Sequence, residues 1–310
     1  VIESLRGGGA QHVATALANM WAGRSDQVTV ITFLETTSDV FTLHPQVSRI
    51  SIGGAKTSKT TISAAFANFQ RIWRLRAAII SRRPDVVISF IGATNVLTIL
   101  AALGTGVKVV VAERNDPSRQ SLGAIWNFLR HHTYKLAGLI TANSKHTVSQ
   151  LSKEFINKRI YWTPNPVRFS QQTRPLAFDK PYIIAAGRLH RQKGFDVLIR
   201  AFAQLHESHT QLKLLILGDG VERAALCSLI DSLGIAGFVD LVGFVKDPFP
   251  YYMGALFLAH PARYEGLPNV VLEAMSVGVP VVVTDTQQGI LDFVSHEKTG
   301  LVVPSESESS

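Results

Sequence analysis

A single cysteine, Cys227, stands in 310 residues, which excludes a disulfide framework and any zinc or iron–sulfur site built from thiolates. Long apolar runs are missing as well. The run at 96–103 is already broken by Thr98 and falls far short of the ~20 residues of a membrane-spanning helix. The amino terminus, VIESLRGGG, has no basic-then-apolar leader pattern, so a soluble, cytoplasmic protein is expected. Neither an Asp-x-Asp pair nor a histidine cluster of ligand type occurs, and no metal or other cofactor is expected. Charged residues make up only 17%, whereas apolar residues reach 46%, enough to bury real cores and too much for a disordered chain. The length exceeds one small domain and fits two.

The charge is unevenly spread. Residues 1–170 hold 20 Lys and Arg against 8 Asp and Glu, a net of +12, while 171–310 hold 11 against 15, a net of −4. The first half is therefore suited to an anionic partner: nucleic acid, a phosphorylated substrate or a membrane surface. A solvated basic face that serves solubility explains the same charge.

Short β-branched runs recur at 28–33, 85–91, 107–112, 139–142, 182–186, 213–217, 239–242, 256–259 and 280–284. Segments with helical periodicity lie between them, among them 11–22, 65–82, 195–206 and 223–233. Near-continuous apolar strands alternating with amphipathic helices predict an α/β fold of parallel sheets covered on both faces. The stretch TPNPVRFSQQTRPLAFDKP (163–181) carries four prolines, which neither a central strand nor a helix interior accepts. It predicts a linker between two doubly wound, Rossmann-like domains, 1–168 and 169–310. A glycine-rich turn at 7–9 should follow a strand, yet only Val1 and Ile2 precede it closely, so most of a first strand is expected to be missing. The polar end SESESS suggests that a terminal helix is missing too. Cys227 falls in a helical pattern and reads as core filler.

Three loops are candidates for chemistry. Glu265-Gly266-Leu267-Pro268-Asn269-Val270-Val271-Leu272-Glu273 precedes Gly278 and a strand; Pro268 suits the first turn of a helix and Gly278 its end. Backbone N–H groups at Gly266 and Leu267, with the positive end of the helix dipole, make an anion site between two carboxylates. Taken alone, the pair reads more simply as helix capping by Glu265 with a solvent-exposed Glu273. Gly187-Arg188-Leu189-His190-Arg191-Gln192-Lys193-Gly194 joins a strand to a helix at the carboxyl edge of a sheet, where α/β ligands bind. Arg188 offers a planar fork to phosphate and Lys193 a mobile point charge; a basic surface loop explains them equally. Gly7-Gly8-Gly9-Ala10 brings backbone close to a ligand before a helix, or is simply a tight turn. LGDG at 217–220 and GFV at 243–245 close two further strands on the same edge.

In this order, GGG, Asn165-Pro166-Val167, GRLHRQKG, LGDG, GFV and PARYEGLPNVVLEAMSVGVPVV resemble the family 4 retaining glycosyltransferases, also described as glycosyl transferases group 1, over nearly the whole chain. The resemblance implies the GT-B fold, in which two domains face each other across a cleft and the second binds a nucleotide sugar. It implies that Arg188 and Lys193 hold the donor diphosphate, that Glu265 bonds sugar hydroxyls, and that these three are the catalytic set. Gly266 and Leu267 would touch sugar and phosphates, Glu273 the ribose, and Gly187, Gly243, Phe244 and Val245 would border the nucleotide. Gly8 and Gly9 would approach the diphosphate from the first domain. The implied reaction is metal-independent transfer from a nucleotide diphosphate sugar, a UDP-sugar, to a glycan or lipid-linked acceptor in cell-surface polysaccharide or glycolipid assembly. Its oxocarbenium-like transition state sheds growing charge onto the diphosphate, which two cations and a helix N-terminus can meet.

One departure stands out. Many members carry a histidine after the strand at 107–112; here Glu113-Arg114-Asn115-Asp116 follows. Either Glu113 and its neighbours replace that contact or another residue serves; Glu113 and Arg114 read equally as a local ion pair. Stretches 65–83 and 123–135 mix aromatics and cations at helical spacing and could rest on an anionic membrane at its inner face, or be ordinary helices with solvated cations. Other readings are a further nucleotide-sugar enzyme, such as an epimerase, and a nucleic-acid binder. The second half's net −4 and the want of a reading motif disfavour the latter, so no nucleic-acid partner is expected.

Overall fold

The structure is a computed structural model and describes residues 1–6, 8–53, 61–114, 122–167, 174–286 and 289–308. Gly7, Asn115, Asp116 and part of the proline-rich stretch lie outside the described residues. The chain divides into two compact units, Val1–Pro166 and Val167–Ser310. No helix among the described residues is long and apolar enough to cross a membrane.

In the first unit, strands β1 (Thr29–Thr32) and β2 (Ser48–Ser51) pair in parallel, and β3 (Val86–Phe90), β4 (Lys108–Glu113), β5 (Leu139–Ala142) and β6 (Ile160–Trp162) form a parallel sheet in that order. Residues 1–3 join the two groups: Ile2 N–H donates to the Ile31 carbonyl at 3.1 Å, and Phe90 N–H donates to the Val1 carbonyl at 3.0 Å. The helices are α1 (Gly9–Ala22), α2 (Thr61–Arg82), α3 (Gly92–Ala102), α4 (Ala124–Thr133) and α5 (Lys145–Glu154). Helix α5 starts where the Ser144 hydroxyl accepts from Thr147 N–H at 3.0 Å, a cap worth about 1 kcal/mol. Apolar residues fill both faces of the layer, Val109, Val111 and Ile140 on one and Ile2, Val30 and Ala112 on the other.

The second unit is a six-stranded sheet, all of its paired strands parallel, in the order β12-β11-β10-β7-β8-β9. These are β7 (Tyr182–Ala186), β8 (Lys213–Leu217), β9 (Val239–Gly243), β10 (Leu258–His260), β11 (Val281–Thr284) and β12 (Leu301–Val303). All five residues of β7 are buried. Tyr182, Ile184 and Ala186 enter one core and Ile183 and Ala185 the other, the period-two alternation of a strand covered on both faces. Helices α6 (Phe195–Ser208) and α7 (Arg223–Ser232) cover one side, and α8 (Phe249–Met253) and α9 (Asn269–Ser276) the other.

Three strands escape the apolar pattern of the sequence: β2, β6 and β12. Each is an edge strand with half-exposed positions, so none reads as a buried run. Cys227 corrects the expectation of a core residue. Helix α7 buries Leu226 and Ile230, and Cys227, a further 100° around the helix, is exposed.

Glu113 ends β4 inside the first unit and is 4% exposed. The Tyr134 hydroxyl donates to its Oε1, and Asn95 Nδ2 donates to Tyr134 Oη at 3.0 Å and to Glu113 at 3.4 Å. Burial raises the Glu113 pKa, against the opposing pull of Tyr134, Arg130, Asn95 and Arg114. Arg114 turns elsewhere, donating to the Thr163 carbonyl at 2.8 Å and to Asn165 Oδ1 at 3.3 Å. The protonated carboxyl is thus favoured by folding, and its stabilisation, complete below the ordinary value of 4.5, declines as pH rises through the raised value. Glu113→Gln keeps a neutral partner for Tyr134, so urea unfolding at pH 5 and pH 8 is expected to show a smaller loss of stability toward pH 8 than in the wild type. An equal loss in both proteins would contradict this account.

Candidate functional site

The chain runs outward from β7 through β8 to β9, then returns to the other side of β7 to lay down β10, β11 and β12. The strand order therefore reverses between β7 and β10, which are neighbours through Leu258 and Ile184. Loops leaving the carboxyl ends of two such strands diverge to opposite faces and leave a crevice, the ordinary ligand position in open parallel sheets. The two loops here are 187–194, leading to α6, and 261–268, leading to α9.

They are tied together closely. Arg263 N–H donates to the Gln192 carbonyl at 2.8 Å, and its guanidinium donates to the Arg191 carbonyl at 2.7 Å. The same guanidinium grips Asp196, in the first turn of α6, through two bonds of 2.8 Å and also meets Glu306. The Arg263 bond holds the Asp196 pKa below its usual range, and the pair raises Arg263. Gln192 Nε2 donates to the Tyr264 carbonyl at 2.9 Å and to Glu265 Oε1 at 3.2 Å; Lys193 Nζ meets Glu265 Oε2 at 2.7 Å. Glu265 and Lys193 side chains are 13% and 16% exposed, a largely enclosed ion pair. His260, ending β10, is buried, and burial followed by the Lys193 charge pushes its pKa well below the ordinary value. Its ring is therefore neutral at physiological pH.

Helix α9 begins after Pro268, which gives it no side-chain cap, and the Glu265 carboxylate accepts from Gln192 and Lys193. Glu273, one turn beyond Asn269, is 7% exposed, which overturns the alternative of a solvated surface residue. Gly266 and Leu267 are buried at the entrance to the helix. Arg188 is exposed on its loop. Gly187, Gly218 and Gly243 stand side by side: Gly218 N–H donates to the Gly243 carbonyl at 2.7 Å, and a Cβ on Gly218 would lie 1.9 Å from the Gly187 carbonyl. Phe244 is 61% exposed and Val245 packs partly on the core. Gly8 and Gly9 open α1 in the other unit.

Sequence reading passed over Gln192, Asp196 and Arg263. The signal was faint but present: an acidic residue in a first helical turn beside a basic loop, and an arginine three residues past the end of a strand. Among the described residues no group of three or more His, Cys, Asp and Glu is arranged to hold a metal ion.

Two parallel-sheet units, one with a switch-point crevice that holds cations, carboxylates and a helix entrance, are the parts of a GT-B fold. The chain belongs to the glycosyl transferases group 1 family: residues 168–310 match that family's model, and residues 8–166 match the model of the glycosyl transferase 4-like domain. Among curated proteins, it is 30% identical over 238 residues to the N-acetylgalactosamine-N,N'-diacetylbacillosaminyl-diphospho-undecaprenol 4-alpha-N-acetylgalactosaminyltransferase of Campylobacter jejuni. That match covers 73% of this chain and 64% of the relative's length. Among solved structures, sucrose-phosphate synthase of Thermosynechococcus elongatus has a TM-score of 0.83 at 19% identity, covering 99% of this chain and 82% of that one. HepE of Anabaena in complex with UDP-glucose has a TM-score of 0.81 at 18% identity, covering 99% and 85%. At such identities the structures establish the fold, GT-B.

Gly194 and Gly218 are the backbone positions on which the crevice depends. Gly194 has φ +66° and a Cβ there would lie 2.2 Å from the Pro261 carbonyl, so the two loops approach through it. Gly218→Ala adds strain at φ +133° and a backbone clash; it is expected to cost about 2–4 kcal/mol in chemical denaturation. Gly237→Ala, where nothing lies within 4 Å, is expected to stay within about 0.5 kcal/mol of wild type. Equal effects at the two sites would refute the close-approach argument.

Proposed function

We propose that the second unit binds a nucleoside diphosphate sugar, a UDP-sugar, and that the enzyme transfers the sugar with retention of configuration to a lipid-linked or polysaccharide acceptor. The observation that carries the reading is the Lys193–Glu265 pair, clamped by Gln192 at the strand-order reversal beside the entrance to α9. Family membership gives the reaction class, and the lipid-diphosphate acceptor in the Campylobacter relative's name motivates the acceptor class. The UDP-glucose complex of HepE motivates the nucleotide.

In this mechanism the diphosphate sits between Arg188, Lys193 and the N-terminus of α9, where the helix dipole and backbone donors favour negative charge. A lysine ammonium has three N–H donors, so Lys193 keeps Glu265 and takes a phosphate oxygen as well. Glu265, held by Gln192 and Lys193, accepts from hydroxyls of the donor sugar and orients its anomeric carbon. Glu273 accepts from the ribose hydroxyls, and Phe244 and Val245 border the base. As the glycosidic bond to the diphosphate breaks, charge accumulates on the leaving group where Arg188 and Lys193 stand ready. With Arg188, Lys193 and the N-terminus of α9 meeting that charge, the proposed mechanism uses no metal.

Calorimetric titration with UDP tests the reading. Binding is expected to be unaffected by chelator and to weaken about tenfold or more in Glu273→Ala, the loss of a hydrogen bond to a charged group. Lys193→Ala is expected to lower turnover by about 10²–10³, by analogy with other donors to developing charge. Binding that chelator abolishes, or a folded wild type that ignores UDP, would contradict the proposal.

A further inference from the structure

Helix α2 carries two apolar stripes. Leu75 and Ile79 face the core at 0% and 1% exposure, with Ile72 packed beside them. On the far side, Phe66, Phe69, Trp73 and Ile80 are 62%, 65%, 66% and 53% exposed, with exposed Ala77 completing the row. Their spacing of three and four residues aligns them along one face. Three aromatic rings and an isoleucine in one row form a contiguous exposed apolar patch of the kind that marks an interaction surface. Helix α4 repeats the pattern, with Ile125 and Phe128 at 74% and 63% exposure, His132 one turn on against the Phe128 ring, and Leu136 beyond at 58%. Both helices pack on α3, whose residues are mostly buried between them and the sheet.

The charge of these helices selects the partner. Helix α2 contains Arg71, Arg74, Arg76 and Arg82 and no acidic residue; α4 has no acidic residue either, and its Arg130 is mostly enclosed beside Glu154. Arg74 and Arg76 flank the row of rings on its two sides at 100° per residue. A second copy of this face would set arginine against arginine, whereas an anionic surface answers both the rings and the cations.

We infer that the exposed faces of α2 and α4 dock the first unit onto a bilayer containing anionic lipid, the rings entering the headgroup boundary and the arginines meeting lipid phosphates. The inference stands apart from the donor reading, because vesicle partition and nucleotide titration succeed or fail separately.

The test is cosedimentation of the full chain with sucrose-loaded vesicles of phosphatidylcholine alone or with about one-third phosphatidylglycerol. Partition onto the anionic vesicles is expected, falling with salt and falling about tenfold in Phe69→Ser/Trp73→Ser. Both side chains are exposed, so the melting curve of that variant is expected to match wild type. Trp73→Phe keeps an apolar ring; it is expected to retain partition while losing much of the blue shift in tryptophan emission on vesicle addition. Equal partition onto both vesicles, no partition onto either, or partition unchanged by the serine variant would overturn the inference. So would a dimer that the serine variant converts to monomer, which would assign the face to a second copy.

Discussion

The Arg263–Asp196 ion pair crosses from the loop after β10 to the first turn of α6, and the crevice depends on it. Two strands lie side by side there, but their following helices go to opposite faces of the sheet, so nothing in the strand ladder holds the loops in register. A planar guanidinium does so with bidentate geometry, two bonds of 2.8 Å to Asp196 and a third of 2.7 Å to the Arg191 carbonyl. Once that span is fixed, Gln192 and Lys193 point at Glu265, and Pro261 can approach Gly194 to a distance that no side chain would allow. Replacing Arg263 by lysine would keep the charge and lose the fork.

Electrostatics gives the crevice its character. The surrounding unit is mildly acidic, net −4 over 171–310, yet Arg188, Arg191 and Lys193 sit together in one loop. Glu265 offsets part of that charge, and the enclosed ion pair holds Lys193 in place instead of leaving it to sample solvent. His260 beneath is neutral because burial and the Lys193 charge both oppose a second cation. Glu273, the fifth residue of α9, is carried into the interior by the helix.

Much of the architecture was legible in the sequence because a parallel sheet covered on both faces writes itself as apolar runs. The β7 segment, buried at every position, and the β8 segment are plain to read. The edge strands Ser48–Ser51 and Ile160–Trp162 are not, since half their positions face water and local composition cannot reveal pairing. The carboxylates at 265 and 273 and the cations at 188 and 193 stood out by motif. Motif alone left Glu273 open between solvent and interior, which burial decides. Gln192, Asp196 and Arg263 were hidden because their importance is tertiary: their bonds span up to 73 residues of sequence. Glu113 was weighed as a stand-in for the family's histidine contact or as half of a local ion pair; the structure shows it closing a buried cluster with Tyr134 and Asn95, which no local pattern announces.

A crystal structure of the protein with UDP tests the central claim most directly. The account predicts the diphosphate between the 187–194 loop and the N-terminus of α9, within hydrogen-bond distance of Lys193, with the ribose on Glu273 and the Lys193–Glu265 contact retained. A nucleotide bound away from the β7–β10 junction, or one that leaves both Lys193 and Glu273 untouched, would contradict it.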